Sequence, residues 1–128
     1  MPVTAADLVA EARARIREVA PTALGSEAAK PVLIDVREPA EYAIGHLAKA
    51  INIPRGVLEF QVDAHPAVAN VTEPALAHRQ RPVVVYCRSG GRAALAADSL
   101  QRIGFSDVRS IAGGIEAWIA AGLPVTQH

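Results

Sequence analysis

Val83-Val84-Val85-Tyr86 runs directly into Cys87-Arg88-Ser89-Gly90-Gly91-Arg92, and this junction limits the fold more than any other stretch. Four contiguous apolar or aromatic residues, three of them β-branched, suit a strand covered on both faces. Gly90 and Gly91 break the run and supply the backbone freedom of a tight loop. Ala93 to Ile103 then reads as a helix, with Leu95, Ala96, Leu100 and Ile103 on one face and Gly104 as its stop. Free backbone N–H groups gather at the amino end of such a helix, and its dipole favours negative charge. The chain's only cysteine sits on this seam beside Arg88 and Arg92, surroundings that favour the thiolate. The residues therefore describe an anion-cradling loop around a nucleophilic cysteine. A merely buried cysteine is the plainer alternative, but it would not require two glycines and two arginines.

The flanking segments extend the alternation of strand and helix. Thr4-Ala5-Ala6-Asp7 matches a capping box, and Leu8, Ala12, Ile16 and Val19 follow at helical spacing. Arg13, Arg15 and Arg17 fall on the remaining sides and read as a solvated basic face. Ala20 to Pro31 reads as a connecting loop. Val32 to Arg37 is a second apolar strand that ends in charge, and Glu38 to Ile44 a short helix with Pro39 in its first turn and Gly45 as C-cap. Ala50 to Ile53 is a short strand stopped by Pro54. Val57 to Val62 forms a helical turn or two, Ala64 to Ala67 a loop, and Thr72 to His78 a short capped helix. Val108 to Ile111 is a further strand and Gly113-Gly114 a turn. Ile115, Trp118 and Ile119 recur at helical spacing before Gly122 and Pro124, with Trp118 read as core. The order implies an α/β fold, three-layered α/β/α, with a mostly parallel central sheet and helices on both faces.

Composition sets the outer bounds. A chain of 128 residues is one domain's length and can bury a core without staples. Thirteen basic and thirteen acidic residues leave no net charge, so there is no footprint for nucleic acid or an anionic membrane surface. One cysteine excludes an internal disulfide and cysteine-rich zinc sites. His65, His78 and His128 lack ligand-like spacing, so no metal is expected. The amino terminus has no basic segment followed by an apolar run, and no segment approaches the roughly 20 apolar residues of a membrane span. The cytoplasm is the expected location.

Loop length bears on the chemistry. A thiolate in such a cradle can attack an electrophilic sulfur or a phosphorus. Four residues separate Cys87 from Arg92. Cysteine phosphatases place five residues there, because a tetrahedral phosphate needs a wider ring of amides. Here that position is Ala93, whose side chain donates nothing, and the shorter loop suits a terminal persulfide sulfur.

Three ordered segments then resemble the rhodanese family of thiosulfate sulfurtransferases. Cys87-Arg-Ser-Gly-Gly-Arg92 resembles its active-site loop, Asp35 to Pro54 its first signature and Gly113 to Pro124 its second. One departure is Lys49, where the family commonly carries glycine. The resemblance implies a single rhodanese-like domain over residues 1–128, with a helix and loop over 1–31 ahead of the signature-bearing core over 32–125. It implies that Cys87 attacks the outer sulfur of thiosulfate, releases sulfite and passes the sulfur to cyanide or a small or protein thiol. The amides from Arg88 through Ser89, Gly90 and Gly91 to Arg92 would hold the sulfur anion, and the two arginine side chains would attract the dianionic donor. No metal or organic cofactor is implied. Asp35, Arg37 and Arg55 could support or edge the pocket, although Asp35 with Arg37 also reads as a loop-ordering pair. His46 reads as a hydrogen-bonded structural histidine. A small cysteine phosphatase or arsenate reductase of related fold, and a non-catalytic docking module, are the alternatives. Acceptor, pathway and oligomeric state are not encoded in these motifs.

Overall fold

A computed structural model describes residues 2–25, 31–62 and 76–128. In chain order its elements are α1 (Ala5–Arg13), β1 (Arg17–Val19), α2 (Pro21–Gly25), β2 (Val32–Asp35), α3 (Pro39–Ile44), β3 (Ile51–Asn52), a 3-10 turn (Arg55–Val57), α4 (Leu58–Val62), β4 (Val83–Tyr86), α5 (Gly91–Arg102), β5 (Val108–Ile111) and α6 (Gly114–Ala120). The five strands form one parallel sheet in the order β1-β5-β4-β2-β3. The two most apolar runs, β2 and β4, occupy its middle and are buried along their whole length. The expected α/β/α layering is observed. No helix among the described residues is long and apolar enough to cross a membrane.

Strand alternation divides the core between the two faces. Val32, Ile34, Val83, Val85 and Cys87 join one cluster with Ala93, Ala96, Ala97 and Leu100 of α5 and Leu58 of α4. Leu33, Val84 and Tyr86 join the other with Leu24 of α2 and with Ile115 and Trp118 of α6. Trp118 is core, as expected, and its indole N–H donates to the Pro124 carbonyl at 2.8 Å. On α5 the small alanines carry the deep contacts. Leu95 and Ile103, placed on the buried face by spacing, are only partly covered.

The amino-terminal reading needs correction. The capping box forms as expected, with Asp7 N–H donating to Thr4 Oγ1 at 3.1 Å and Thr4 N–H to Asp7 Oδ2 at 2.9 Å. The helix stops at Arg13, however, and Arg17 to Val19 pair with β5 as an edge strand. The open edge of β5 outweighs a helical periodicity that Ile16 and Val19 only appeared to continue. Leu8 is half exposed, and Ala12 is the buried residue of α1. The three arginines are exposed, as expected, and each also meets a carboxylate: Arg13 with Glu18, Arg15 with Asp98 and Arg17 with Asp107. Part of the segment read as loop, Pro21 to Gly25, is a helical turn that seats Leu24 in the core. The loop at Ala64 to Ala67 and most of the helix at Thr72 to His78 lie outside the described residues.

Gly45 does end α3, but its φ of 173° is extended backbone. The left-handed position in this region belongs to Lys49, at φ 69°, in a turn closed by Ala50 N–H to Leu47 O at 3.1 Å. A glycine suits that geometry without strain. Lys49→Gly is expected to raise stability by about 0.5–1 kcal/mol, the left-handed penalty less the added freedom of the unfolded chain. A thermal melt beside Lys49→Ala, which keeps the penalty, tests this.

Asp98 anchors the turn between α1 and β1 to α5 through a bidentate bridge, Arg15 Nε to Oδ1 at 3.0 Å and Nη2 to Oδ2 at 2.8 Å. Hydrogen bonding to Arg15, ahead of its charge, lowers the Asp98 carboxyl below the usual range. A depressed acid adds stability above its unfolded value of about 3.9 and loses it as pH falls through the folded value. Arg15 is more than half exposed, so solvent screens the pair. Asp98→Asn should therefore destabilise by about 1 kcal/mol at neutral pH. Its denaturation midpoint should converge with that of the parent chain as pH falls below the unfolded carboxyl value of about 3.9.

Candidate active site

Strand order builds the site. β4 lies between β5 and β2, so the loop leaving β4 at Cys87 has α6 on one side and α3 on the other. Cys87 continues the alternation of Val83 and Val85, and only 2% of it is exposed. Gly90 N–H donates to its Sγ at 3.1 Å and Ala93 N–H at 3.4 Å. Gly90 reaches this position with φ 119°, and a Cβ there would lie 3.0 Å from an Arg13 guanidinium nitrogen. Since α5 begins at Gly91, the sulfur rests on the first turn of a 12-residue helix, where N–H groups have no intrahelical partner.

The second glycine pair holds the loop from the opposite side. Ile115 N–H donates to Cys87 O at 2.9 Å, and Glu116 N–H to Arg88 O at 3.1 Å. Gly113 and Gly114 both have left-handed backbones. A Cβ on Gly114 would stand 2.5 Å from Cys87 O and 2.6 Å from Arg88 O. Sequence identified this pair as a turn, but its close approach to the cysteine loop comes from the adjacency of β4 and β5.

Both loop arginines already have carboxylate partners. Arg92 makes a two-point bridge to Glu41, Nη1 to Oε1 and Nη2 to Oε2, each 3.0 Å. Arg88 Nε donates to Glu116 Oε2 at 3.0 Å on the exposed side. Hydrogen bonding from Arg92 lowers the Glu41 carboxyl below its ordinary value, and the same bond raises Arg92. Neither glutamate stood out in the sequence. Each stands in the first turn of a helix that follows a strand neighbouring β4, a relation that becomes visible only with the strand order.

Asp35 and Arg37 form the loop-ordering pair. Asp35 is fully buried, and its carboxylate accepts from Arg37 N, Nε and Nη2 at 2.7–3.1 Å. Arg37 Nη2 also donates to Gly45 O at 2.7 Å. Burial opposes the Arg37 charge, but the Asp35 bonds and charge outweigh it and raise its pKa. Tyr86, whose OH accepts from Leu47 N–H at 3.1 Å, is pushed far above the phenol range by burial and then by Asp35. His46 is buried, stacks on Tyr42 at 3.6 Å and places its ring nitrogens 2.8 and 3.1 Å from the Tyr42 and His128 carbonyls. Its structural reading therefore agrees with the geometry.

A pocket of about 590 Å³ opens over this region. Arg37, Arg88 and Arg92 line it with Glu41 and Glu116, and Ile44, Ile115, Ile119 and Val125 supply its apolar wall. Cys87 is not part of the wall, but Arg88 and Arg92, which bracket its loop, are. Ser89 is exposed. Arg55 does not edge this pocket. Its guanidinium instead holds Glu59 at 3.0 Å and Ser99 Oγ at 3.2 Å, because Pro54 leads into the turn that packs against α5.

Comparison with known proteins gives a consistent picture. A rhodanese-like domain model matches residues 20–121. A sulfurtransferase of Allochromatium vinosum is 34% identical over 94 residues, covering 73% of this chain and 77% of that protein. Thiosulfate sulfurtransferase 16 of Arabidopsis thaliana, a chloroplastic protein, is 35% identical over 96 residues, covering 71% and 76%. Among solved structures, a Rhodopseudomonas palustris protein of unknown function, described as a possible tyrosine phosphatase, superposes with a TM-score of 0.84. It is 32% identical, with 98% of this chain and 99% of that one covered. The domain match extends over most of the chain and contains the cysteine loop, the first signature and all but the last three residues of the second: the chain belongs to the rhodanese-like family, and the Allochromatium and Arabidopsis relatives are named sulfurtransferases.

Proposed function

We propose that this chain transfers sulfane sulfur through a persulfide on Cys87, with thiosulfate as donor and cyanide or a thiol as acceptor. In the first step the Cys87 thiolate attacks the outer sulfur of thiosulfate. The donor S–S bond breaks and sulfite leaves with the bonding electrons. In the second step the acceptor attacks the outer sulfur of the persulfide, and Cys87 departs as thiolate. The Gly90 and Ala93 amides at Sγ are the observation that carries this reading. They supply a fixed electrostatic cradle at the reacting atom. Asp35 and Arg37 act as positioning residues, and Ser89 and Gly91 contribute backbone to the loop.

The Rhodopseudomonas palustris relative gives phosphoester chemistry a specific claim as second reading. Ala93 weighs against it, since that site lies where the longer phosphatase loop sets its arginine, and here the residue is wholly buried. Incubation with thiosulfate is expected to add the mass of one sulfur atom to the intact protein, and Cys87→Ser to abolish the gain. An unmodified mass together with turnover of an aryl phosphate would establish the second reading. An unmodified mass with no turnover would favour a docking module.

The clasp on the loop gives a separate expectation. Gly114→Ala forces the Cys87 and Arg88 carbonyls away, and displacement of a reacting group by about 1 Å can slow chemistry on the order of a hundredfold. Sulfur loading should fall by about tenfold or more. Gly104→Ala introduces a similar positive-φ strain at a site with open space around it, and should load at the parent rate. Equal rates for the two variants would show that the clasp does not set the loop.

A further inference from the structure

We propose that the pocket receives an uncharged aliphatic thiol as sulfur acceptor, and that Glu41 and Glu116 are the residues that disfavour anionic ones. This rests on the Cys87 persulfide reading and names the substrate class of the same site. Two independent observations carry it.

The first is charge. Every guanidinium lining the pocket is already matched: Arg37 by Asp35, Arg88 by Glu116 and Arg92 by Glu41. An anionic acceptor must compete with a carboxylate in place, at Arg92 with a two-point one; the thiosulfate donor meets the same competitor in the separate loading step, so the pairs slow anions without barring them. An uncharged ligand meets no such competitor.

The second is the apolar wall. Six large hydrophobic residues are exposed among the described residues, and three of them, Ile44, Ile119 and Val125, line this one pocket. Ile44 is 76% exposed and Ile119 54%. Such clustering marks a ligand surface more than scattered exposure does. A volume of about 590 Å³ lies in the range of small-molecule sites and far exceeds what cyanide fills. An alkyl chain covering these side chains gains the hydrophobic contribution that a small inorganic acceptor cannot.

The transfer balances without an external oxidant. The acceptor enters as the uncharged thiol; its sulfur forms a bond to the outer sulfur of the Cys87 persulfide anion, its proton passes to that outer sulfur, and the persulfide S–S bond breaks. Cys87 leaves as thiolate and the acceptor leaves as a hydropersulfide. The sulfane sulfur keeps its oxidation state.

The test separates this proposal from the reading beneath it. The full chain is loaded with thiosulfate or inorganic polysulfide, freed of donor and checked by intact mass. Discharge is then followed in single turnover with ethanethiol, propane-1-thiol, butane-1-thiol and 3-mercaptopropane-1-sulfonate. The second-order rate is expected to rise by about threefold per added methylene, close to the full value for burying a CH₂. Propane-1-thiol should outrun the sulfonate of equal chain length by about fivefold, the size of the ion-pair competition. Glu41→Gln with Glu116→Gln should quicken the sulfonate by about fivefold and shrink that ratio. Ile119→Asp should flatten the alkyl series. Failure to load would overturn the persulfide reading and this proposal with it. Loading followed by a flat alkyl series, or by equal rates for propane-1-thiol and the sulfonate, would overturn this proposal alone. The second outcome would point to an acceptor held elsewhere, such as a thiol on a partner protein.

Discussion

The site depends on two hydrogen bonds between neighbouring loops. The carbonyls of Cys87 and Arg88 leave the end of a central strand with no sheet partner, and the first amides of α6 have no intrahelical acceptor. Each set satisfies the other. The arrangement works only if α6 comes very close, and Gly114 permits that. The consequence is a division of labour between two helix starts. The amides of α6 hold the backbone of the cysteine loop, while those at the start of α5 remain free to point at the sulfur. One helix start could not do both.

The opposite side of the pocket depends on a buried ion pair. Removing Asp35 and Arg37 from water is costly, and such pairs are weak evidence for stability by themselves. Here the lone pairs and protons are well used. The Asp35 carboxylate accepts from the Arg37 backbone and side chain, and the carbonyls of Asp35 and Arg37 both accept from Asn52 Nδ2. Arg37 then fixes Gly45 O, which sets the end of α3 and thus where Glu41 and Ile44 stand. The pair contributes geometry: a charged brace under a wall that has few buried residues of its own.

The sequence was legible where local chemistry and burial agree. The apolar runs of β2 and β4, the Thr4 capping box, Pro39 at a helix start and the strand–loop–helix seam at Cys87 all take the expected form. It was misleading at Ile16 and Val19, where period three was compatible with a helix and the open edge of β5 decided for a strand. Strand order was not legible. That information determines which loops meet, so Glu41, Glu116 and the role of Gly114 were invisible although their residue types were plain. Arg55 shows the converse error: a basic residue just past a strand end suggested the crevice, but the chain turns at Pro54 and carries it to Glu59. Lys49 shows how a departure from a familiar pattern can leave the backbone intact, since the left-handed turn persists with lysine in it.

In the sequence the loop arginines read as favouring the thiolate and attracting the donor, with the loop amides holding the sulfur anion. Their pairing separates those tasks. At the sulfur the cradle is backbone N–H at 3.1 and 3.4 Å in a buried setting, where ionic strength has little access. At the mouth, Arg88 with Glu116 is largely exposed and Arg92 with Glu41 partly so. Charges in such positions are screened within about 8–10 Å at ordinary salt and contribute little net attraction once paired. On the proposed persulfide reading, holding the sulfur anion falls to fixed dipoles that need no reorganisation. On the reading proposed above, the rim of arginine–glutamate pairs selects which molecules reach it, and the apolar wall between those pairs is the part of the surface free to add binding energy.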